Sequence, residues 1–248
     1  MMLLPEDVGL SRELAVYGIH EPLTTRVLED VLAPGMVVAD VGSNIGYFLL
    51  IEARRVWPDG LILAFEPEPT NFATLRRNVE ANGYASIVRL FNVAVGEHQG
   101  SAELAVSDRS NWHSLQPVAW AVGTVPVTLT TLDDVVVTQG LRRLDLVRMD
   151  IEGAELWALQ GMTETLLRYR PRVLVEIHPH ILPPADLDRL FALLAALKYE
   201  VEFVLDRKWD HPLHVWRLRP EPMSLVRLAR DPRVVADRRT ISALLRPR

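Results

Sequence analysis

Two groups of residues in this sequence are of the types and spacing that do chemistry. The first is Asp40, Gly42, Asn44 and Gly46 in "VVADVGSNIGYF", followed by Glu66 in "AFEPEP". Glycines without a Cβ let a backbone approach a ligand closely and adopt positive φ at little cost. An asparagine between them caps a helix or bonds locally through its amide. The spacing is Gly42-x-x-x-Gly46, without the middle glycine of the G-x-G-x-x-G dinucleotide fingerprint, so the turn suits a smaller, cationic or neutral ligand better than a pyrophosphate. Asp40 points the same way, because a carboxylate is unfavourable beside phosphate and favourable beside an ammonium group. Glu66 follows one strand-helix-strand unit later, where an acid ordinarily takes ribose hydroxyls.

The second group is Asp150, Glu152 and Glu155 in "RMDIEGAE" with Glu176 and His178 in "VEIHPH". Acids in a first helical turn are stabilised by the helix dipole whatever else they do, and that suffices for Glu155. Asp150 ends a strand, where ligands bind in open α/β sheets. Glu176 and His178 are two apart on the next strand and share a face. These groups suit the orientation or deprotonation of an acceptor hydroxyl, with a structural hydrogen-bond network as the rival reading. His178 is the expected base, since its ordinary pKa lies near neutrality, and Asp150 is the second choice. Asp150 and Glu176 would also suit Mg²⁺, but a hydrogen bond from His178 to Glu176 explains the pair as well, and the expectation is catalysis without metal. Trp112 and His113 in "SNWHSL" border the acceptor or simply pack.

Elements that position these groups follow from periodicity. "MVVADV", "LILAFE", "SIVRLFNVAV", "LDLVRMD" and "RVLVEIH" are β-rich runs of strand length. "GYFLLIEARRVW", "EPTNFATLRRNVEANG" and "EGAELWALQGMTETLLRYR" between them repeat apolar residues at three and four, as helices do. Alternating strands and helices predict an open, mainly parallel sheet with helices on both faces. Residues 101–135 break the rhythm, and "SAELAVS" and "TVPVTLTTL" alternate every second residue, which predicts an inserted β-hairpin. Residues 1–35 read as a helical lead-in with "EPLTTRVLEDVL" as its clearest helix, and residues 36–205 as the core.

The chain has 248 residues, about half apolar and a quarter charged, which suits one domain with one substantial core. It has no cysteine, which excludes disulfides, thiolate metal sites and a cysteine nucleophile and suits a reducing cytoplasm. The opening "MMLLPEDVGL" has too short an apolar run for a signal peptide and no basic residues before it, and no run is long enough to span a membrane, so the chain reads as soluble, unprocessed and cytoplasmic. Residues 206–248 carry eleven Lys or Arg against five Asp or Glu, in a chain whose net charge is −5. That basic extension reads as short terminal elements with solvated faces and a possible oligomer contact, rather than a phosphate-binding tail.

The glycine turn and the two strand-end acids together describe a nucleoside with an amino-acid end, S-adenosylmethionine (SAM). In order, "DVGSNIGYF", "AFEPEPTNFATLRRNVEANG", "NVAVGEHQGSAEL", "TLDDV", "LDLVRMDIEGAELWALQG" and "PRVLVEIHPH" resemble the signatures of the FkbM-type SAM-dependent methyltransferases, from about residue 20 to about 180. The resemblance implies a class I methyltransferase fold, Rossmann-like, with a seven-stranded, mainly parallel sheet whose last strand is antiparallel. It implies methyl transfer to an oxygen of a small metabolite, glycoside or sugar. Asp40, Gly42, Asn44 and Gly46 would line the methionine end of the cofactor and Glu66 would meet the ribose. Glu21 and Thr24 match a stretch that closes over the cofactor, and Asn92 opens the third block as a further cofactor-binding candidate. Three other classes stand beside this one. A nucleic-acid methyltransferase is opposed by the acidic body and the lack of an N-P-P-Y-type turn, and a nucleotide-dependent oxidoreductase by the missing glycine. A non-catalytic nucleoside-binding module shares every feature of the cofactor site.

Overall fold

The structure is a computed structural model that describes residues 1–206, 210 and 219–248. Two helices lead in, α1 (Leu10–Tyr17) and α2 (Pro22–Val31), and strand β1 (Val37–Val41) begins the core. It is followed by α3 (Tyr47–Val56), β2 (Leu61–Phe65), α4 (Pro69–Ala81) and β3 (Val88–Phe91). Parallel pairing sets β2 beside β1 and β3 beyond it. On the other side of β1 lie β7 (Leu146–Met149) and then β8 (Arg172–Ile177), also parallel. Beyond β8 come β10 (Ile241–Pro247) and β9 (Tyr199–Asp206), with β10 antiparallel to both. The order is therefore β3-β2-β1-β7-β8-β10-β9.

Alternation along the strands divides the core into two layers. Val38, Ile62, Leu146 and Leu174 face α2, α3 and α4, packing against Val27, Leu49, Ala53, Leu75 and Val79. Ala39, Leu63, Val147 and Val173 face the opposite layer. That layer is built from α5 (Leu132–Thr138), α6 (Glu155–Gln160), α7 (Thr163–Tyr169) and α8 (Pro184–Ala196). Both faces of the sheet are thus covered, as parallel strands require.

Three expectations are corrected. The run "SIVRLFNVAV" is two strands. β3 joins the main sheet, and β4 (Ala94–Val95) leaves it to pair with the predicted hairpin, β5 (Gly100–Val106) and β6 (Gly123–Thr130). The single helix expected after residue 152 breaks into α6 and α7 around Gly161, where a Cβ would lie 1.9 Å from the Gly96 carbonyl oxygen. The core also does not end at residue 205, because β10 supplies one of its interior strands. The short helices α9 (Leu225–Leu228) and α10 (Pro232–Val235) precede it.

Candidate active site

At the carboxyl end of β1 the chain turns through three left-handed residues, Gly42 (φ 87°), Asn44 (φ 51°) and Gly46 (φ 94°), before α3 starts. The glycines serve packing first. A Cβ on Gly42 would lie 2.0 Å from the Asp150 carbonyl oxygen, and one on Gly46 would lie 2.7 Å from Leu75 Cδ1 of α4. Gly46 is therefore not a wall of the cleft beside the turn, whereas Gly42, Ser43 and Asn44 are.

Glu66 closes this cleft from the end of β2. Its Oε2 accepts the Asn44 N–H and its Oε1 the Glu68 N–H, both at 2.8 Å. Burial pushes its pKa up to about 8. Asn44 Nδ2 in turn donates to the Ser110 carbonyl at 2.7 Å, so the loop between β5 and β6 is tied over the turn. Asp7 fastens the lead-in to the same loop by accepting the Ser110 N–H at 2.9 Å and its hydroxyl at 2.7 Å. The cleft encloses about 810 Å³ counted out to its mouth, with Phe65, Val93, Ala94 and Leu104 among its apolar walls.

Asp40 is displaced from its expected role. It is fully buried, and Arg148, its cross-strand neighbour on β7, donates to its Oδ1 at 2.9 Å. The same guanidinium bonds the Gly42 carbonyl at 3.3 Å and Asp150 Oδ2 at 3.2 Å and stacks on Phe48. Burial opposes its charge, but Asp40 and Asp150 hold its pKa above the usual value. Asp40 thus acts behind the site, through Arg148.

Thr24 and Asn92 also face elsewhere. Thr24 bonds Asp210 through its N–H at 3.0 Å and its hydroxyl at 2.9 Å, and the Leu23 N–H bonds the same carboxylate at 2.7 Å, so Asp210 caps α2. Exposed Asn92 donates to the carbonyls of Glu66 and Pro67 and braces the turn after β2. Glu21 does reach the site as a wall of a second cleft. Its backbone is left-handed at φ 42°, and its carboxylate lies 2.8 Å from His20 Nε2.

The second cleft adjoins the first and encloses about 1240 Å³ to its mouth. Asp150, Glu152 and Asn111 line both. Glu176, His178, Trp112, Trp120 and Arg238 belong to the second, and His113 to the first. Glu176 and His178 thus share a face as their spacing predicts. Four residues bordering the clefts, Glu21, Asn44, Glu152 and Arg238, are non-glycine with positive φ. Backbone strain of this kind concentrates where side chains must be aimed.

His178 does not have the environment of a base. Its Nδ1 lies 2.7 Å from Glu155 Oε1, and its Nε2 lies 3.4, 3.6 and 3.9 Å from oxygens of Glu152, Glu176 and Asp150. Burial alone would lower its pKa, but Glu152, Glu155 and Glu176 raise it well above the ordinary value. A ring that keeps its proton accepts none from a substrate. Burial and the neighbouring acids instead raise Asp150 to about 7, and burial raises Glu152 to about 8.

Sequence reasoning missed the roles of Arg148, Glu152 and Glu155. Arg148 left a signal as the lone cation in an apolar strand. Glu155 left none, because an acid in a first turn looks the same whether it serves the helix dipole or a histidine. The expectation of no metal rested on a resemblance that implies none and on a His178–Glu176 hydrogen bond; the imidazole bonds Glu155 instead, and Asp150, Glu176 and His178 present ligand atoms within 4.8 Å of one another.

A seven-stranded sheet of this order, with clefts over the carboxyl ends of its central strands, defines a Rossmann-like methyltransferase fold. It is similar to a putative rRNA-methylase of Clostridium thermocellum at 9% identity, covering 90% of this chain and 92% of that one with a TM-score of 0.52. It is also similar to fibrillarin of Aeropyrum pernix in complex with S-adenosyl-L-methionine at 10% identity, covering 90% and 73% with a TM-score of 0.50. The methyltransferase FkbM domain matches residues 40–201, and the chain belongs to that family. Methyltransferase 1 of Beauveria bassiana is 27% identical over 209 residues, 71% of this chain and 83% of its own length. The 2-O-methyltransferase NoeI of Sinorhizobium fredii is 29% identical over 177 residues, 62% and 70% of the two chains.

The protein is a SAM-dependent methyltransferase. The residues present fit that cofactor. Glu66 lines the cleft from the end of β2, held by the Asn44 and Glu68 N–H groups, where a carboxyl can meet ribose hydroxyls. Carboxylates at the junction of the clefts complement a sulfonium.

Proposed function

We propose that the protein methylates a hydroxyl oxygen of a small acceptor, a sugar, glycoside or secondary metabolite, by direct in-line transfer. The observation that carries this reading is that the cleft walled by Glu66 and the turn after β1 meets a second, acid-lined cleft at Asp150 and Glu152. SAM supplies a methyl group made electrophilic by its sulfonium. Glu66, Asn44 and the turn after β1 hold the donor, and the second cleft holds the acceptor between Trp112, Trp120 and the acids. The acceptor oxygen forms the new O–CH₃ bond as the S–CH₃ bond breaks, and its proton passes to a carboxylate. We assign that role to Glu152, because Arg148 engages Asp150. Aromatic walls with carboxylates to accept hydroxyl protons support a polyhydroxylated acceptor. NoeI, by name a 2-O-methyltransferase, supports oxygen as the methylated atom. The cysteine-free chain suits the cytoplasm, and we place no nucleic acid or membrane among its partners; a homo-oligomer contact through the basic C-terminal segment remains part of the proposal.

Label transfer from methyl-labelled SAM across a panel of glycosides and hydroxylated metabolites tests this reading. Wild-type protein is expected to place the label on oxygen, and Glu152→Gln to lose about 10²–10⁴-fold in single-turnover rate at unchanged SAM affinity. Label on nitrogen, or a Glu152→Gln variant as fast as wild type, would refute it.

A further inference from the structure

The grouping around His178 has a feature that methyl transfer by carboxylate and sulfonium alone leaves unexplained. Glu155 approaches Nδ1 to 2.7 Å, a normal hydrogen bond. On the opposite edge of the ring, three carboxylates stand back from Nε2 at 3.4 to 3.9 Å, and no hydrogen bond joins any of them to it. His178 is 2% exposed, so this nitrogen is buried and aimed at a space bounded by acids. A simple ion pair would have drawn one acid in, as Glu155 is drawn in on the other side.

Asp150, Glu152, Glu155 and Glu176 converge on His178, Arg148 engages Asp150, and Arg238 lines the same cleft.

We infer that Asp150, Glu176 and His178 bind a divalent cation of the Mg²⁺ or Mn²⁺ kind at the floor of the acceptor cleft. Ligands held at about 2.1 Å in an octahedron lie about 3 Å apart when adjacent and about 4.2 Å apart when opposite. The separations of Nε2 from Glu176 and Asp150, 3.6 and 3.9 Å, fall between these values. Binding the ion would displace the Nε2 proton to solvent, and Glu155, accepting from Nδ1–H, would then hold the Nε2 lone pair toward the metal, the arrangement in which a carboxylate orients a metal-binding histidine. Two carboxylates and one imidazole leave coordination positions that face the cleft, where an acceptor hydroxyl would enter, become more acidic, and pass its proton to Glu152. This inference rests on the methyl-transfer reading for its purpose but not for its test.

Mn²⁺ alone, titrated against the full chain and followed by the loss of its free-ion paramagnetic signal, decides the matter. One saturable ion per chain is expected, displaced by excess Mg²⁺, with affinity at least tenfold weaker in Glu176→Gln and in Asp150→Asn. In unsubstituted protein the bound ion should broaden the ring resonances of His178 ahead of those of His98, which lies outside the site. Absence of saturable binding, broadening that spares His178, or undiminished affinity in variants that melt like wild type would overturn the site. Calorimetry of SAM in EDTA reports separately on the broader reading. SAM binding without Mn²⁺ binding removes the ion alone, and Mn²⁺ binding without SAM binding removes the methyl-transfer role while leaving the ion.

Discussion

Behind the turn after β1, Asp40, Arg148 and Glu52 form a buried charge group, and its members have unequal standing. Arg148 answers Asp40 directly, while both oxygens of Glu52 on α3 are buried without a hydrogen-bond partner among the described residues. Burial and the adjacent Asp40 raise the Glu52 pKa well above its ordinary 4.5. Between 4.5 and that raised value the unfolded chain has lost a proton that the folded chain retains, so this residue's contribution to stability falls as pH rises through that window. Each unit of the window costs about 1.4 kcal/mol. Glu52→Gln should therefore raise the denaturation midpoint at pH 7 to 8, with the gain shrinking toward pH 4.5. A variant less stable than wild type at pH 8 would show that the carboxyl has a partner worth more than its burial costs. Asp40→Ala belongs to the opposite class. It strands a buried guanidinium, and the expected loss is about 3–5 kcal/mol of stability, read by chemical denaturation.

Among the elements, the lead-in is held by two devices that its sequence did not reveal. Asp210 caps α2 from nearly two hundred residues away, and Asp210→Ala should cost about 0.5–2 kcal/mol, measured by urea unfolding. His20 sits between Glu13 of α1 and Glu21 at the start of α2, and its ring packs on Tyr47 and Phe48 of α3. Burial lowers its pKa, but Glu21 and Glu13 raise it to about 9 from 6.5. The folded value is the higher one, so the stabilisation is fully present below pH 6.5 and is lost as pH rises through about 9. Hydrogen exchange in α1 and α2, corrected for intrinsic rates, should accelerate above pH 9 in wild type and show no such step in His20→Gln. Strands β1, β2, β7 and β8 were legible because each is an apolar run buried on both faces, and the alternation of β5 and β6 announced the hairpin. β10 was not, since its partners lie some 65 residues upstream in β8 and its short apolar run is set among arginines. For the same reason spacing placed Glu176 and His178 on one face but could not find Arg148 turning toward Asp40, or Glu155 toward His178. Both contacts exist only once distant elements meet.

For the whole molecule, the insertion of β10 between β8 and β9 means that the sheet closes only once residues 241–247 are in place. Deleting residues 240–248 removes an interior strand and should abolish cooperative thermal unfolding, a result that retention of a sharp transition would contradict. The completed sheet places the Glu66 cleft and the acid cleft side by side over its central strands, and the account of function depends on SAM occupying the first of them. Titration calorimetry of SAM with wild type and with Glu66→Ala tests that placement most directly. The predicted result is saturable binding to wild type and a loss of about 1 to 3 kcal/mol in the variant, the worth of hydrogen bonds to a carboxylate. Equal affinity in a Glu66→Ala protein that unfolds like wild type would contradict it.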